Sequence, residues 1–281
     1  HIAAFEELWI VHKAGGGPLE RPDRLDMYDP FEVPRPEREE QPLPGLDGTL
    51  AYLERTRRRT LEVLERADLE ANNALLRGGF VFRMAVQHEW QHQEIVLQGL
   101  DLRCGDEPYA PATPRTEPSR DEAIEVDDAA TAYVPAGAFT VGSDDPTSTY
   151  DNERPAHTLE LPAFRIDRHP VTCRRWLEFM EDGGYERPDL WSPAGRAWLE
   201  EVSPWAPQGW WRERNGRWWV TRFGHPCPID PREPVQHICA HEADAFAAWS
   251  GGRLPTEFEW ERAAAPADGD RESPHPWGNA P

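Results

Sequence analysis

Lysine is almost missing from this chain. Lys13 is the only one, so the positive charge rests on arginine, a skew that fits a GC-rich coding sequence and marks no site. Positive charge is scarce altogether: 30 Lys and Arg stand against 51 Asp and Glu in 281 residues, a formal charge of −21. Such a chain repels phosphate backbones, and no local basic patch offsets it, which argues against nucleic acid as a partner. Cysteine is sparse too. Cys104, Cys173, Cys227 and Cys239 have no CxxC spacing, which excludes a disulfide framework and a zinc knuckle and makes a reducing cytoplasm the expected location. No apolar run approaches the roughly 18 residues a membrane span needs, and no signal peptide is visible, so no membrane partner is expected. The chain opens on His1 and ends on Trp277-Gly278-Asn279-Ala280-Pro281, turn chemistry with no closing element, so it is expected to be a fragment truncated at both ends.

What is present divides the chain in two, as its length suggests at about 150 residues per domain. Apolar residues recur every three or four positions over 1–12, 50–67 and 79–100, which predicts three or four helices in a first domain. Between the first two lie Gly15-Gly16-Gly17-Pro18 and six further prolines from Pro22 to Pro44, which forbid a long helix there. An acidic, proline-rich stretch then reads as a linker over 106–130. Beyond it the pattern changes to short β-rich runs at 133–142, 157–161 and 164–167, with helices predicted over 172–180, 242–249 and 256–265. Eleven of the 13 tryptophans fall in this part, so aromatic packing is expected to hold an irregular α+β domain together. Trp210-Trp211 and Trp218-Trp219 flank Asn215-Gly216, a hairpin-turn signal.

The sharpest chemical signal is His88-Glu89-Trp90-Gln91-His92. Two histidines at i and i+4 lie about 40° apart around a helix and can face one ion; two packed histidines would share the spacing. The same letters spell HExxH, with Glu89 as the general base of a zinc protease. Ile95 and Gln98 stand where one protease subtype requires Gly and His, which excludes that subtype. Glu107 is a possible third ligand for other subtypes, although it falls in the linker. The alternative third ligand is His1, at the start of a helix expected to pack against the one bearing His88 and His92. Three imidazoles leave open positions that suit a redox-active iron, and zinc fits the same ligands.

At this point the residues resemble a known family. His1-Ile2 with Glu6-Glu7-Leu8-Trp9, Met27-Tyr28-Asp29-Pro30-Phe31 and Gln87–Glu94 are similar to the iron-dependent sulfoxide synthases of ergothioneine biosynthesis. Val134–Phe139, Glu153–His157, Pro170-Val171-Thr172 and Gly252–Glu261 resemble the formylglycine-generating-enzyme fold. The resemblance implies a DinB-like four-helix bundle over 1–105, a linker over 106–130 and an irregular C-type-lectin-like domain over 131–281, incomplete at its carboxyl end. It implies iron(II) held by His1, His88 and His92. Gln91 would contact trimethylhistidine, and Arg35 and Arg38 would hold the carboxylates of γ-glutamylcysteine in bidentate guanidinium contacts. The implied activity is an oxygenase that joins C2 of the trimethylhistidine imidazole to the γ-glutamylcysteine thiol, using O2 and oxidising the sulfur to a sulfoxide. The family's catalytic tyrosine would lie beyond Pro281, so no catalytic residue is assigned. A paralogue using cysteine or a selenium donor, a zinc protease and a non-catalytic binding module are the competing readings.

The remaining conspicuous residues carry structural expectations. His157, His169 and His225 are scattered, and His237 and His241 straddle a helix start. His12 should favour a helix end, while Cys173 and Cys239 are expected to be inert core thiols.

Overall fold

The computed structural model describes residues 1–22, 37, 44–102, 125–147 and 149–265. They fall into two compact units, one from 1–97 and 142–156, the other from 98–141 and 157–281. No helix among the described residues is long and apolar enough to cross a membrane.

The first unit is helical. Its opening helix is α-helical over Ile2–Glu6 (α1), with His1 at the N-cap and Phe5 N–H donating to the His1 carbonyl at 2.9 Å. From Glu7 to Ala14 the helix continues with the wider i→i+5 bonding of a π-helix, closing with Gly15 N–H to the Ile10 carbonyl at 2.8 Å. The periodicity over 1–12 predicts one regular helix, and apolar residues three and four apart do not reveal this change of pitch. Lys13 Nζ sits 3.7 Å above the Trp9 ring. His12 Nδ1 lies 2.8 Å from the Gly17 carbonyl just past the helix end. Gly15 allows the close approach that follows, since a Cβ there would stand 2.6 Å from Val63 Cγ2.

Val63 belongs to α2 (Leu46–Arg66), built from Leu, Glu and Arg, all strong helix formers. The chain reverses through Gly78 and Gly79, both at positive φ, into α3 (Phe80–Asp101), which carries His88 and His92. Residues 142–156 belong to the same compact unit, where Arg83 Nη1 donates to Thr147 Oγ1 at 3.1 Å.

The second unit is a set of small antiparallel sheets and short helices. The run expected over 133–142 is two strands separated at Pro135: β1 (Thr131–Val134) pairs with β4 (Phe164–Asp167), and β2 (Gly137–Val141) with β3 (His157–Leu161). The tryptophan hairpin forms as expected. β5 (Trp210–Arg212), β6 (Trp218–Arg222) and β7 (His225–Pro228) make one sheet, with Trp211 opposite Trp219 and their rings stacked at 5.6 Å.

The helices are α4 (Cys173–Glu181), α5 (Pro193–Val202), α6 (Ala240–Trp249) and α7 (Glu257–Ala264). Thr172, Ser192 and Thr256 cap α4, α5 and α7 through their hydroxyls. Aromatic packing holds this unit, as its composition suggests. Trp176 and Phe179 are wholly buried, Trp176 stacks on Phe246 at 5.1 Å, and each such ring contributes about 1.5–3 kcal/mol through burial.

Candidate metal centre

Three histidine rings of the first unit converge. His1 Nε2 and His92 Nε2 each lie 3.1 Å from His88 Nε2, and the ligating atoms of all three fall within 4.8 Å of one another. The i, i+4 spacing on α3 turns His88 and His92 to one side, and the N-cap position of α1 presents His1 to them. Among the described residues this is the one cluster of three or more His, Cys, Asp or Glu able to hold a metal ion.

The donor set fits a divalent cation. A neutral imidazole nitrogen carries either a proton or a lone pair, so three such atoms at this spacing cannot all satisfy one another, whereas one cation can accept three lone pairs together. Burial, and then the neighbouring His92, push the His88 imidazole down to about 4. His88 is therefore neutral at pH 7, the form that ligates. Phe5 lies flat on its ring, with centroids 3.7 Å apart and planes at 11°, which fixes the plane in which the lone pair points.

Glu89 follows His88 but points about 100° away around the helix. Its Oε2 accepts from Arg57 Nη2 at 2.8 Å. The same guanidinium binds Glu6 through Nε, 3.0 Å from both carboxylate oxygens, and through Nη2. Glu6 raises the Arg57 pKa further above its ordinary value, outweighing partial burial, with Glu89 adding to it. Beside it, wholly buried Glu7 accepts from Tyr52 Oη at 2.7 Å, Arg59 Nη1 at 2.9 Å and Glu20 N–H at 2.7 Å.

Of the residues singled out from sequence, His1, His88 and His92 come together. Gln91 is exposed on α3, one residue before His92. Arg35 and Arg38 lie outside the described residues. Phe5, Glu6 and Arg57 were not singled out for this centre; a signal was available in the Glu6-Glu7 pair inside an apolar helix and the arginines clustered at 55–59. In the second unit, His237 Nε2 lies 2.9 Å from Asp101 Oδ2, a pairing that fits its structural expectation. Burial pushes the Cys173 thiol up to about 12 and raises the Cys239 thiol, as inert thiols require.

A helical unit with a histidine cluster, followed by an irregular α+β unit, defines a two-part protein. Its sequence matches the DinB superfamily over residues 1–96 and the sulfatase-modifying factor enzyme 1-like domain over residues 115–281, and the chain belongs to the sulfatase-modifying factor enzyme 1-like family. It is 42% identical over 289 residues to the hercynine oxygenase of Mycolicibacterium thermoresistibile, covering 100% of this chain and 60% of that protein. The hercynine oxygenase of Mycolicibacterium smegmatis is 40% identical over 289 residues, covering 100% of this chain and 63% of that protein. The formylglycine-generating enzyme of Thermomonospora curvata is 37% identical over 160 residues, covering 52% of this chain and 51% of that enzyme. The chain thus spans 60–63% of the length of its hercynine oxygenase relatives.

Proposed function

We propose that the protein is a non-haem iron(II) oxygenase that forms a C–S bond between the imidazole C2 of N-α-trimethylhistidine (hercynine) and the thiol of γ-glutamylcysteine, with oxidation of the sulfur to a sulfoxide, in ergothioneine biosynthesis. The convergence of His1, His88 and His92 carries the reading. Whole-chain identity to proteins named hercynine oxygenase supports it. Iron would supply the redox chemistry with O2 that no side chain here offers. His88 and His92 orient the site from one helix face, and His1 completes the set. Gln91, beside a ligand, contacts trimethylhistidine. Arg35 and Arg38 clamp the carboxylates of γ-glutamylcysteine, a task suited to the planar guanidinium. The domains divide at 1–105, 106–130 and 131–281, and the protein works in the cytoplasm.

The zinc-protease reading asks Glu89 to act as base beside the metal. Its pairing with Arg57, and a third histidine standing upstream of the motif rather than downstream, count against that.

Anaerobic iron(II) titration of the full-length protein is expected to give one ion per chain, lost in His88→Ala and in His92→Ala. Oxygen uptake should need both substrates together and yield the sulfoxide. In the same assay, substituting Arg35 and Arg38 should raise KM for γ-glutamylcysteine far more than for free cysteine; equal effects would remove that assignment. Iron binding without turnover would shift the search to other thiols, and no iron binding would overturn the reading.

A further inference from the structure

Three histidines on two helices share a point only while those helices keep their spacing, because metal–ligand distances tolerate only about 0.2 Å. The helix that begins at His1 packs chiefly on α2, not on the α3 helix that supplies the other two ligands. Beside the direct stack of Phe5 on His88, α2 offers a second link between the two ligand-bearing helices, through one side chain that reaches both.

That side chain is Arg57. Its Nε and Nη2 take Glu6, which closes the helical turn that His1 opens, and Nη2 also takes Glu89, the residue after His88. The Glu6 side chain is only 5% exposed, so its charge depends on this guanidinium. A lysine ammonium is a point charge and cannot reproduce the fork. We infer that Arg57 is a positioning residue, a clamp that joins the helix of His1 to the helix of His88 and His92 through Glu6 and Glu89 and so presets the three-histidine site for its metal. The inference rests on the iron reading above.

Iron(II) affinity, measured anaerobically by competition with a chelator, and the unfolding midpoint of the metal-free protein would be read on the same full-length preparations. Arg57→Gln is expected to weaken iron(II) by about tenfold or more, the usual scale for residues that orient ligands from behind. Arg57→Lys should recover little of the loss. Glu89→Gln alters a partly exposed side chain and leaves the Arg57–Glu6 arm in place, so it tests the clamp even if Arg57 variants fold poorly. It should weaken iron(II) several-fold and add nothing in the double variant with Arg57→Gln, since both break one link. If the unaltered protein takes no iron, the functional reading fails. If it does, and Arg57→Gln and Glu89→Gln keep its affinity whatever their unfolding midpoints, the positioning role alone fails. Full rescue by Arg57→Lys, or additive losses in the double variant, would also overturn the clamp.

Discussion

Glu7 has no exposed surface, and a buried carboxylate is tolerated only when its charge is met. Tyr52, Arg59 and the Glu20 N–H meet it from three directions. Glu7→Ala would leave these donors facing a void and is expected to cost about 3 kcal/mol, as removing one partner of a buried ion pair does. Urea unfolding of the metal-free protein measures this directly, and a loss under about 1 kcal/mol would show that water replaces the carboxylate. In sequence, the Glu6-Glu7 pair stands inside an apolar helix, and the arginines of α2 that meet it, Arg57 and Arg59, are 51 and 52 residues away in the chain. The π-type continuation begins at Glu7, and both side chains are buried there.

Among the elements, α7 depends on one carboxylate. Glu259 accepts from Arg253 Nη1 at 2.7 Å and Nη2 at 2.6 Å, and from the Thr256 N–H at 2.8 Å, so it both closes the capping box and ties down the preceding loop. The Arg253 hydrogen bonds, then that of the Thr256 backbone, pull its pKa down to about 2, below the ordinary 4.5. A carboxylate with a depressed folded pKa contributes stability that is complete above its unfolded value and is lost as pH falls toward the folded one. Glu259→Gln should therefore lower the unfolding midpoint at pH 7 and narrow the gap to the unaltered protein between about pH 4.5 and pH 2. A gap that stays constant over that window would deny Glu259 this role. The turn after α4 poses a packing test. A Cβ on Gly184 would stand 2.2 Å from the wholly buried Phe179 ring, so Gly184→Ala is expected to destabilise by about 1–3 kcal/mol in thermal unfolding.

At the scale of the whole molecule, spacing and punctuation made much of the architecture legible. The Leu46–Arg66 and Phe80–Asp101 helices and the Trp211–Trp219 hairpin follow patterns that local physics enforces. The α5 helix was not singled out, although the Ser192-Pro193 entry pair and Ala194, Ala197, Trp198 and Val202 at helical spacing mark it. The candidate centre was half legible. His88 and His92 are neighbours on one helix, but His1 reaches them only through tertiary structure: the expected packing of its helix made it a candidate beside Glu107, and the resemblance to a family chose it. The arginine cluster at 55–59 was visible, but which of its members serves the centre was not, since the two partners of Arg57 are 51 and 32 residues away in the chain.

The one ammonium side chain of this protein rests on an indole, Lys13 on Trp9. Within these 281 residues an amine-directed dye therefore has a single side-chain target, and that target lies on the helix that His1 begins. Acylation removes the charge that the ring face attracts. The helix that supplies one candidate ligand thus comes with a built-in attachment point for a fluorophore, requiring no engineered cysteine.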